Sequence, residues 1–99
     1  MSSSQVDDLR AVIGEYEEER NLTLSRLDAH RQRRTRLELA REVLIEHGET
    51  TAAEQLVDDI REVDRHILAG KELLGKLDDL LQAFRSSLAK LEANAQTLS

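Results

Sequence analysis

The residues of this chain best suited to chemistry lie in the run DAHRQRRTRL at residues 28–37, which contains His30 and four arginines. Closely spaced arginines could neutralise the phosphates of a nucleic acid. A histidine among them could also take part in chemistry of its own. Both kinds of chemistry require these side chains to be exposed. The secondary structure around the run therefore determines which of them is possible.

The arginine-rich segment has an acidic counterpart in the second half of the chain. Residues 26–41 contain six arginines and two acids, a local charge of +4, whereas residues 54–64 contain five acids and one arginine, a local charge of −4. The whole chain carries −6, and the run contains no aromatic residue for base stacking. We therefore expect the two segments to pair with each other, and we keep nucleic-acid binding through Arg31–Arg36 as the alternative.

A metal site is a third kind of chemistry to consider. Glu62 and His66 are four residues apart and fall on one face of a helix. The pairing described below brings His66 near His30, and two imidazoles with a carboxylate can hold Zn²⁺. A surface Glu–His pair explains the same spacing, so we assign no metal site and no cofactor.

The composition predicts one all-α domain. The chain has 99 residues, of which 34% are charged, with no Cys, Pro or Trp, one Tyr and one Phe. Sheets depend on aromatic and β-branched residues and on Gly or Pro in their turns, whereas this chain is rich in helix formers. Without cysteine it can form neither a disulfide nor a thiolate metal site.

An unbroken heptad pattern runs through the second half of the chain. Apolar residues or glycine alternate at spacings of three and four from Ala53, labelled position a, to Leu98. The first half keeps this register from Val6 to Leu44, with polar residues in its middle. The apolar core of this predicted seam is Leu9, Ile13, Leu27, Leu37, Leu44, Leu56, Ile60, Val63, Ile67, Leu74, Leu77, Leu81, Phe84 and Leu88.

A turn separates the two halves. Gly48 suits the left-handed residue that ends a helix, and Thr51 with Glu54 matches the capping box that starts one. We therefore predict a disordered segment at 1–4 and one domain over 5–97, with helices at 5–47 and 52–97 and a turn at 48–51. So short a turn makes the arms antiparallel. When facing residues have numbers that sum to 97, every a position meets a d position, as in Leu27 with Gly70.

Both arms have weak points at the same level, near residues 20–25 and 70–75. Gly70 and Gly75 each cost about 1 kcal/mol relative to alanine in a helix, so we consider them a possible hinge. The main prediction is an antiparallel two-helix coiled-coil hairpin that dimerises into a four-helix bundle. The runner-up has both arms broken at this level into a compact four-helix bundle.

Polar residues within the seam are predicted to set its register. Arg34 and His30 occupy seam positions, where polar residues reduce stability while specifying the pairing. We assign this role to them together with Asp59, Glu62 and Asp64. The guanidinium of Arg34 is expected to reach Asp59 or Glu62.

Eight apolar residues fall outside the seam and would stay exposed on a lone hairpin. Such a set suggests an interface with another protein. The predicted function is therefore a non-enzymatic protein–protein interaction module, such as an adaptor, assembly factor, secretion chaperone or structural spacer. It would bind itself as a homodimer, another helical protein, or both. A two-helix hairpin is also expected to lack the concavity of about 300 Å³ that ligand sites need. The candidate interface is Leu22, Leu24, Leu39, Val43, Ile45, Leu68, Leu73 and Leu80.

The segment AHRQRRTRL resembles the histidine box of the dimerisation and phosphotransfer domains of sensor histidine kinases. Those domains are also helical hairpins that dimerise into four helices. The resemblance implies phosphotransfer through His30, and this is a second alternative function. The sequence departs from that family's pattern in two ways, because Arg31 stands where the box has an acidic residue and the box's proline is missing.

The N-terminal residues MSSSQVDD are polar and acidic, unlike a secretory signal. No apolar run approaches the roughly 20 residues of a membrane span. We therefore expect a soluble, cytoplasmic protein.

Overall fold

The computed structural model describes residues 2–98, and the side chains of residues 4–96. Two helices, α1 (Ser2–Glu46) and α2 (Thr50–Leu98), account for almost all of them, and the described residues contain no strand. The helices pack antiparallel, which confirms the prediction of an all-α hairpin. Residues 2–4, predicted to be disordered, belong to α1, and Met1 lies outside the described residues.

The turn between the helices is a Schellman motif. Gly48 has a φ of 76°, the left-handed conformation that glycine adopts without a steric penalty. The Glu49 N–H donates to the Leu44 carbonyl at 2.8 Å, and the Gly48 N–H donates to the Ile45 carbonyl at 3.1 Å. The Glu49 carbonyl in turn accepts from the Ala53 N–H at 3.0 Å. One residue therefore follows Gly48 before α2 begins at Thr50, slightly earlier than the Thr51–Glu54 box predicts.

Both helices continue through the levels where a break was considered. α1 is helical over 20–25, and α2 is helical over 70–75. The runner-up architecture with broken arms is therefore wrong. Leu22 and Leu24 favour helix in the first segment, and residues 71–74 (KELL) favour helix in the second. The isolated glycines cost too little to interrupt helices of this length.

The chain forms two compact units. The turn unit is Thr23–Glu72, and the terminal unit combines Met1–Leu22 with Leu73–Ser99. In the turn unit the most deeply buried side chains are Thr23, Leu27, Ala53 and Val63. In the terminal unit they are Ile13, Leu77 and Leu81, beside a tilted contact between the Tyr16 and Phe84 rings, whose centroids are 5.3 Å apart.

The described residues of the predicted seam are all buried or half-buried, on both helices. All eight off-seam apolar residues are exposed. A helix has 3.6 residues per turn, so a stripe spaced by three and four stays on one side and meets the partner helix, while the other positions point away.

Candidate interaction surface

The turn unit pairs its arms through Arg34. Its Nε donates to Oδ1 of Asp64 at 2.5 Å, and its Nη1 lies 2.6 Å from Oε1 of Glu38. The hydrogen bond to Asp64 and the charges of Asp64 and Glu38 raise the pKa of Arg34. Asp64 belongs to the predicted register set, whereas Asp59 and Glu62, the expected partners of the guanidinium, are not bound to it.

Cross-arm ion pairs also hold the terminal unit. Arg20 Nε donates to Asp78 Oδ1 at 2.5 Å, and Arg10 Nη2 donates to Glu92 Oε1 at 2.6 Å. A third pair joins Arg85 Nη2 and Glu17 Oε1 at 3.3 Å. All of these side chains are more than a third exposed, so each pair contributes little stability.

The cross-arm ion pairs have a common heptad position that the sequence analysis did not identify. All their carboxylates stand at position e, and so do Arg10 and Arg85, the two arginines that lie outside the seam. Opposite charges at the e positions of two antiparallel helices lie on the same side of the pair, as the spacing of charges in the sequence could have revealed. We call this the ion-pair side. Its members are Arg10, Glu17, Glu38, Asp64, Asp78, Arg85 and Glu92.

The arginine-rich run is not neutralised by the acidic stretch as expected. Arg34 alone of the run pairs with α2, while Arg31, Arg33 and Arg36 are exposed and make no ion pair with any side chain that the structure describes. Successive residues point about 100° apart around a helix, so one arginine of a close run can face the partner helix while its neighbours point elsewhere.

A groove of about 250 Å³ lies on the other side of the turn unit, at positions c, d and g. Arg33 contributes the basic part of its wall on α1, and Asp59 and Glu62 contribute the acidic part on α2. The acids make no ion pair or hydrogen bond with an arginine among the described side chains, and Glu62 lies 3.9 Å from His66. We call this the groove side. It is lined by His30, Arg33, Asp59, Glu62, Val63 and His66.

The two histidines of the groove stack on each other. Their ring centroids are 5.2 Å apart, with an angle of 13° between the planes. Ligand nitrogens point outward in the plane of an imidazole, so stacked rings do not converge on one ion. Among the described residues, no three potential ligands are placed to hold a metal ion. His30 is half-buried at the seam, where a phosphoryl acceptor would need to be accessible.

A second groove, of about 480 Å³, lies on the ion-pair side of the turn unit. Its lining mixes apolar and charged residues, and the Nε of Arg41 is buried there without a hydrogen-bond partner. The expectation that a hairpin offers no such concavity is wrong, because long side chains beside the seam form walls around the residues between them. The lining is Glu38, Arg41, Glu42, Val57, Ile60 and Arg61.

The off-seam apolar residues differ between the units. In the terminal unit Leu22, Leu73 and Leu80 all stand at positions c or g, the side opposite the ion pairs, and are 40–46% exposed. In the turn unit Leu39 and Leu68, the most exposed of the set at 56% and 59%, stand at the outward positions f and b. The remaining three, also exposed, are Leu24, Val43 and Ile45.

Comparison with protein-family models, curated proteins and solved structures found no match for this chain. Neither described helix is long and apolar enough to cross a membrane. The candidate surface is thus described by its own geometry, unit by unit. In the turn unit, Arg33 lies across a groove from Asp59 and Glu62 without an ion pair to either. In the terminal unit, three exposed leucines stand at positions c and g.

Proposed function

We propose that this chain is a protein–protein interaction module that binds helical surfaces, its own or those of another protein. The observation that carries the proposal is the exposure of Leu22, Leu73 and Leu80, which all stand at positions c or g of the terminal unit. Leucines exposed together on one side gain free energy when another apolar surface covers them, at roughly 25 cal/mol per Å². Adaptor, assembly factor, secretion chaperone and structural spacer are all roles for such a module.

The arrangement of the ion pairs supports the same proposal. The charges at position e are largely satisfied within the chain, which leaves the opposite side of the helices for a partner. Protein interfaces commonly have an apolar centre surrounded by a polar rim. The terminal unit has this composition on one side, where Asp8, Glu15 and Lys76 accompany the leucines.

The test compares wild type with a Leu22→Ser/Leu73→Ser/Leu80→Ser variant. Sedimentation over a concentration series reports self-association, and affinity capture from a cell extract, followed by quantification of the bound proteins, reports other partners. We expect the variant to lose whichever association wild type makes, while circular dichroism shows unchanged helix. A matched control carries Ser86→Ala, Ser87→Ala and Ala83→Ser, which alter the same unit without removing leucines.

Two outcomes of this comparison contradict the proposal. The first is a monomeric wild type whose captured proteins are the same as those of the variant. The second is a variant that associates as strongly as wild type, because the leucines would then have no part in binding.

Nucleic-acid binding is the second candidate function, favoured by the exposed and unpaired Arg31, Arg33 and Arg36. Phosphate contacts would make affinity fall steeply with salt. Retardation of RNA or DNA that weakens with salt, and that an Arg31→Glu/Arg33→Glu/Arg36→Glu variant abolishes, would support this function. Phosphotransfer through His30 remains a prediction, and acid-labile label on His30 after incubation with a phosphodonor would test it.

A further inference from the structure

We propose that the partner on the groove side is a second copy of this chain, docked with both Gly48 turns at the same end, so that α1 of each copy lies against α2 of the other. This inference rests on the proposed function and names the partner and its orientation. The argument is one of charge and apolar complementarity within each unit.

Charges on the groove side of the turn unit are segregated by helix. Arg33 and Arg36 stand at positions g and c of α1, and Asp59 and Glu62 stand at positions g and c of α2. All four side chains are exposed, and no ion pair joins the arginines to the acids within the chain. The two helices therefore present a basic stripe beside an acidic stripe.

A two-fold copy with its turn at the same end would match these stripes. Its α2 would face α1 in the antiparallel sense already seen within the chain, at the same distance from the turn. Arg33 would then lie opposite the copy's Glu62, and Arg36 opposite its Asp59. Two-fold symmetry makes each of these pairs form twice. Opposed charges of this kind fix orientation more than they add affinity.

The reverse orientation of the turn units is disfavoured by the same charges. With the turns at opposite ends and the turn units in contact, α1 would face its own copy. Arg33 and Arg36 would then approach the copy's arginines, and Asp59 would approach its acids. Like charges in contact oppose association, so the segregation selects the orientation with the turns together.

The terminal unit supplies an independent apolar match. Leu22 at position c of α1 and Leu73 at position g of α2 lie at one level of this unit and are both exposed. In a copy docked with the turns together, Leu22 would contact the copy's Leu73, and the copy's Leu22 would contact Leu73. Leu80, on the same side, would extend this contact.

Small residues on the groove side of the turn unit permit close approach. Ala29 and Ala40 on α1 and Ala69 on α2 are exposed at positions c and g. Helices pack 8–10 Å apart only where the side chains between them are small enough. Alanines between the charged residues provide this space, so salt pairs could form at the edges of a close contact.

The first experiment is a charge swap. One variant carries Arg33→Glu/Arg36→Glu, the other carries Asp59→Lys/Glu62→Lys, and self-association is measured by sedimentation velocity. We expect each variant alone to associate at least tenfold more weakly than wild type, and an equimolar mixture to recover a heterodimer. The second variant lowers the net negative charge of the chain, so general repulsion cannot account for its loss of association.

The matched control is Asp58→Lys/Glu72→Lys, which changes the charge equally at the outward f positions of the same helix. We expect it to associate like wild type. Equal loss in this control, or failure of the mixed variants to recover association, would overturn the assignment of the groove side.

The second experiment reads the orientation. The chain has no cysteine, so Glu49→Cys places a single spin label in the turn of each copy. Turns at the same end would put the two labels about 10–25 Å apart, given helix spacings of 8–10 Å and the reach of the labels. Turn units docked in the opposite sense would separate them by about 35 Å or more, the length of a 24-residue helix. The longer distance would overturn the orientation.

The outcomes separate this inference from the proposed function. A wild type that stays monomeric at all concentrations, yet captures proteins that the triple-leucine variant does not, overturns the second copy and leaves the interaction module standing. A monomer whose capture does not depend on the leucines overturns both. Retardation of nucleic acid by the monomer, abolished by Arg33→Glu/Arg36→Glu, would assign the basic stripe to a different ligand.

Discussion

At Gly70 a side chain of α1 packs directly against the backbone of α2. A β carbon built there would lie 2.7 Å from Cδ2 and 3.0 Å from Cγ of Leu27, which is 2% exposed. Gly75, five residues later, has nothing within 4 Å of such an atom. The two glycines are alike as helix residues and differ in their surroundings: of the two, only Gly70 lies where packing leaves no room for a β carbon.

We predict that alanine has different effects at these two glycines. Gly75→Ala should stabilise the chain by about 0.5–1 kcal/mol, because glycine loses more conformational freedom on folding. Gly70→Ala should be less stable than Gly75→Ala by about 1–3 kcal/mol, the usual cost of overpacking. Chemical denaturation of both variants measures the difference.

A double-mutant cycle controls for helix propensity. Leu27→Ala should cost less in the Gly70→Ala background than in wild type, because the new methyl group occupies part of the space that leucine leaves. Additive effects of the two substitutions would show that Leu27 does not depend on the absence of a side chain at residue 70.

Gly48 is required for a different reason, its backbone conformation. Gly48→Ala should destabilise the fold by about 1–2 kcal/mol, the cost of placing an L-residue in the left-handed region. Gly14→Ala is the matched control, because Gly14 lies within α1 with nothing within 4 Å of a built β carbon, and this variant should be more stable than wild type. Thermal unfolding of the two variants is the measurement, and equal shifts in the same direction would contradict the role of the turn.

At the scale of the helices, α1 and α2 contribute different kinds of residue to the seam. The α2 stripe is apolar throughout, whereas α1 places Arg20, Arg34 and Arg41 on the seam among its leucines. Two of these arginines reach carboxylates on α2, Arg34 to Asp64 and Arg20 to Asp78. Their long stems lie along the seam while the guanidinium groups stay near water, so α1 remains paired without a continuous apolar stripe.

We predict that Arg34→Leu raises the thermal midpoint but loosens the specificity of assembly. The pairs that Arg34 makes are exposed and contribute little, whereas leucine at this seam position would bury apolar surface. Polar seam residues specify register and oligomeric state, and removing one relaxes that choice. Calorimetry and sedimentation would measure the two effects.

Arg31→Leu is the control for this substitution, because Arg31 is exposed off the seam and makes no ion pair among the described side chains. It should leave the midpoint nearly unchanged. An Arg34→Leu variant that melts markedly lower with unchanged assembly would show instead that Arg34 is a structural ion-pair partner.

At the scale of the whole molecule, the hairpin combines a small core with several exposed leucines. A chain of 99 residues in two helices buries few side chains, six of them apolar among the described residues. Small folds with so little core commonly gain stability by association. A partner that covers the groove side would add to this core.

We therefore predict that the thermal midpoint rises with protein concentration. Association that involves the folded state alone stabilises it by mass action. A scan from about 1 to 100 µM should move the midpoint of wild type upward, while Arg33→Glu/Arg36→Glu should show little dependence over the same range. A wild-type midpoint that does not depend on concentration would contradict a stabilising second copy.

Much of the architecture was determined by the sequence alone. The spacing of apolar residues and the glycine of the turn predict two antiparallel helices, their register and the residues that would stay exposed. These features depend on neighbouring residues or on a regular spacing, so they can be predicted from a single sequence. Even the close contact of Leu27 with Gly70 follows from extending the register away from the turn.

The ion-pair partners and the two sides of the hairpin were decided only by the tertiary structure. Composition shows that residues 26–41 and 54–64 have opposite charges, yet Arg34 binds Asp64 and Glu38 while Arg33 and Arg36 point elsewhere. A salt bridge depends on the direction of each side chain around its helix, to within a few ångströms. The summed charge of a segment does not specify those directions, which are fixed only when the two helices pack.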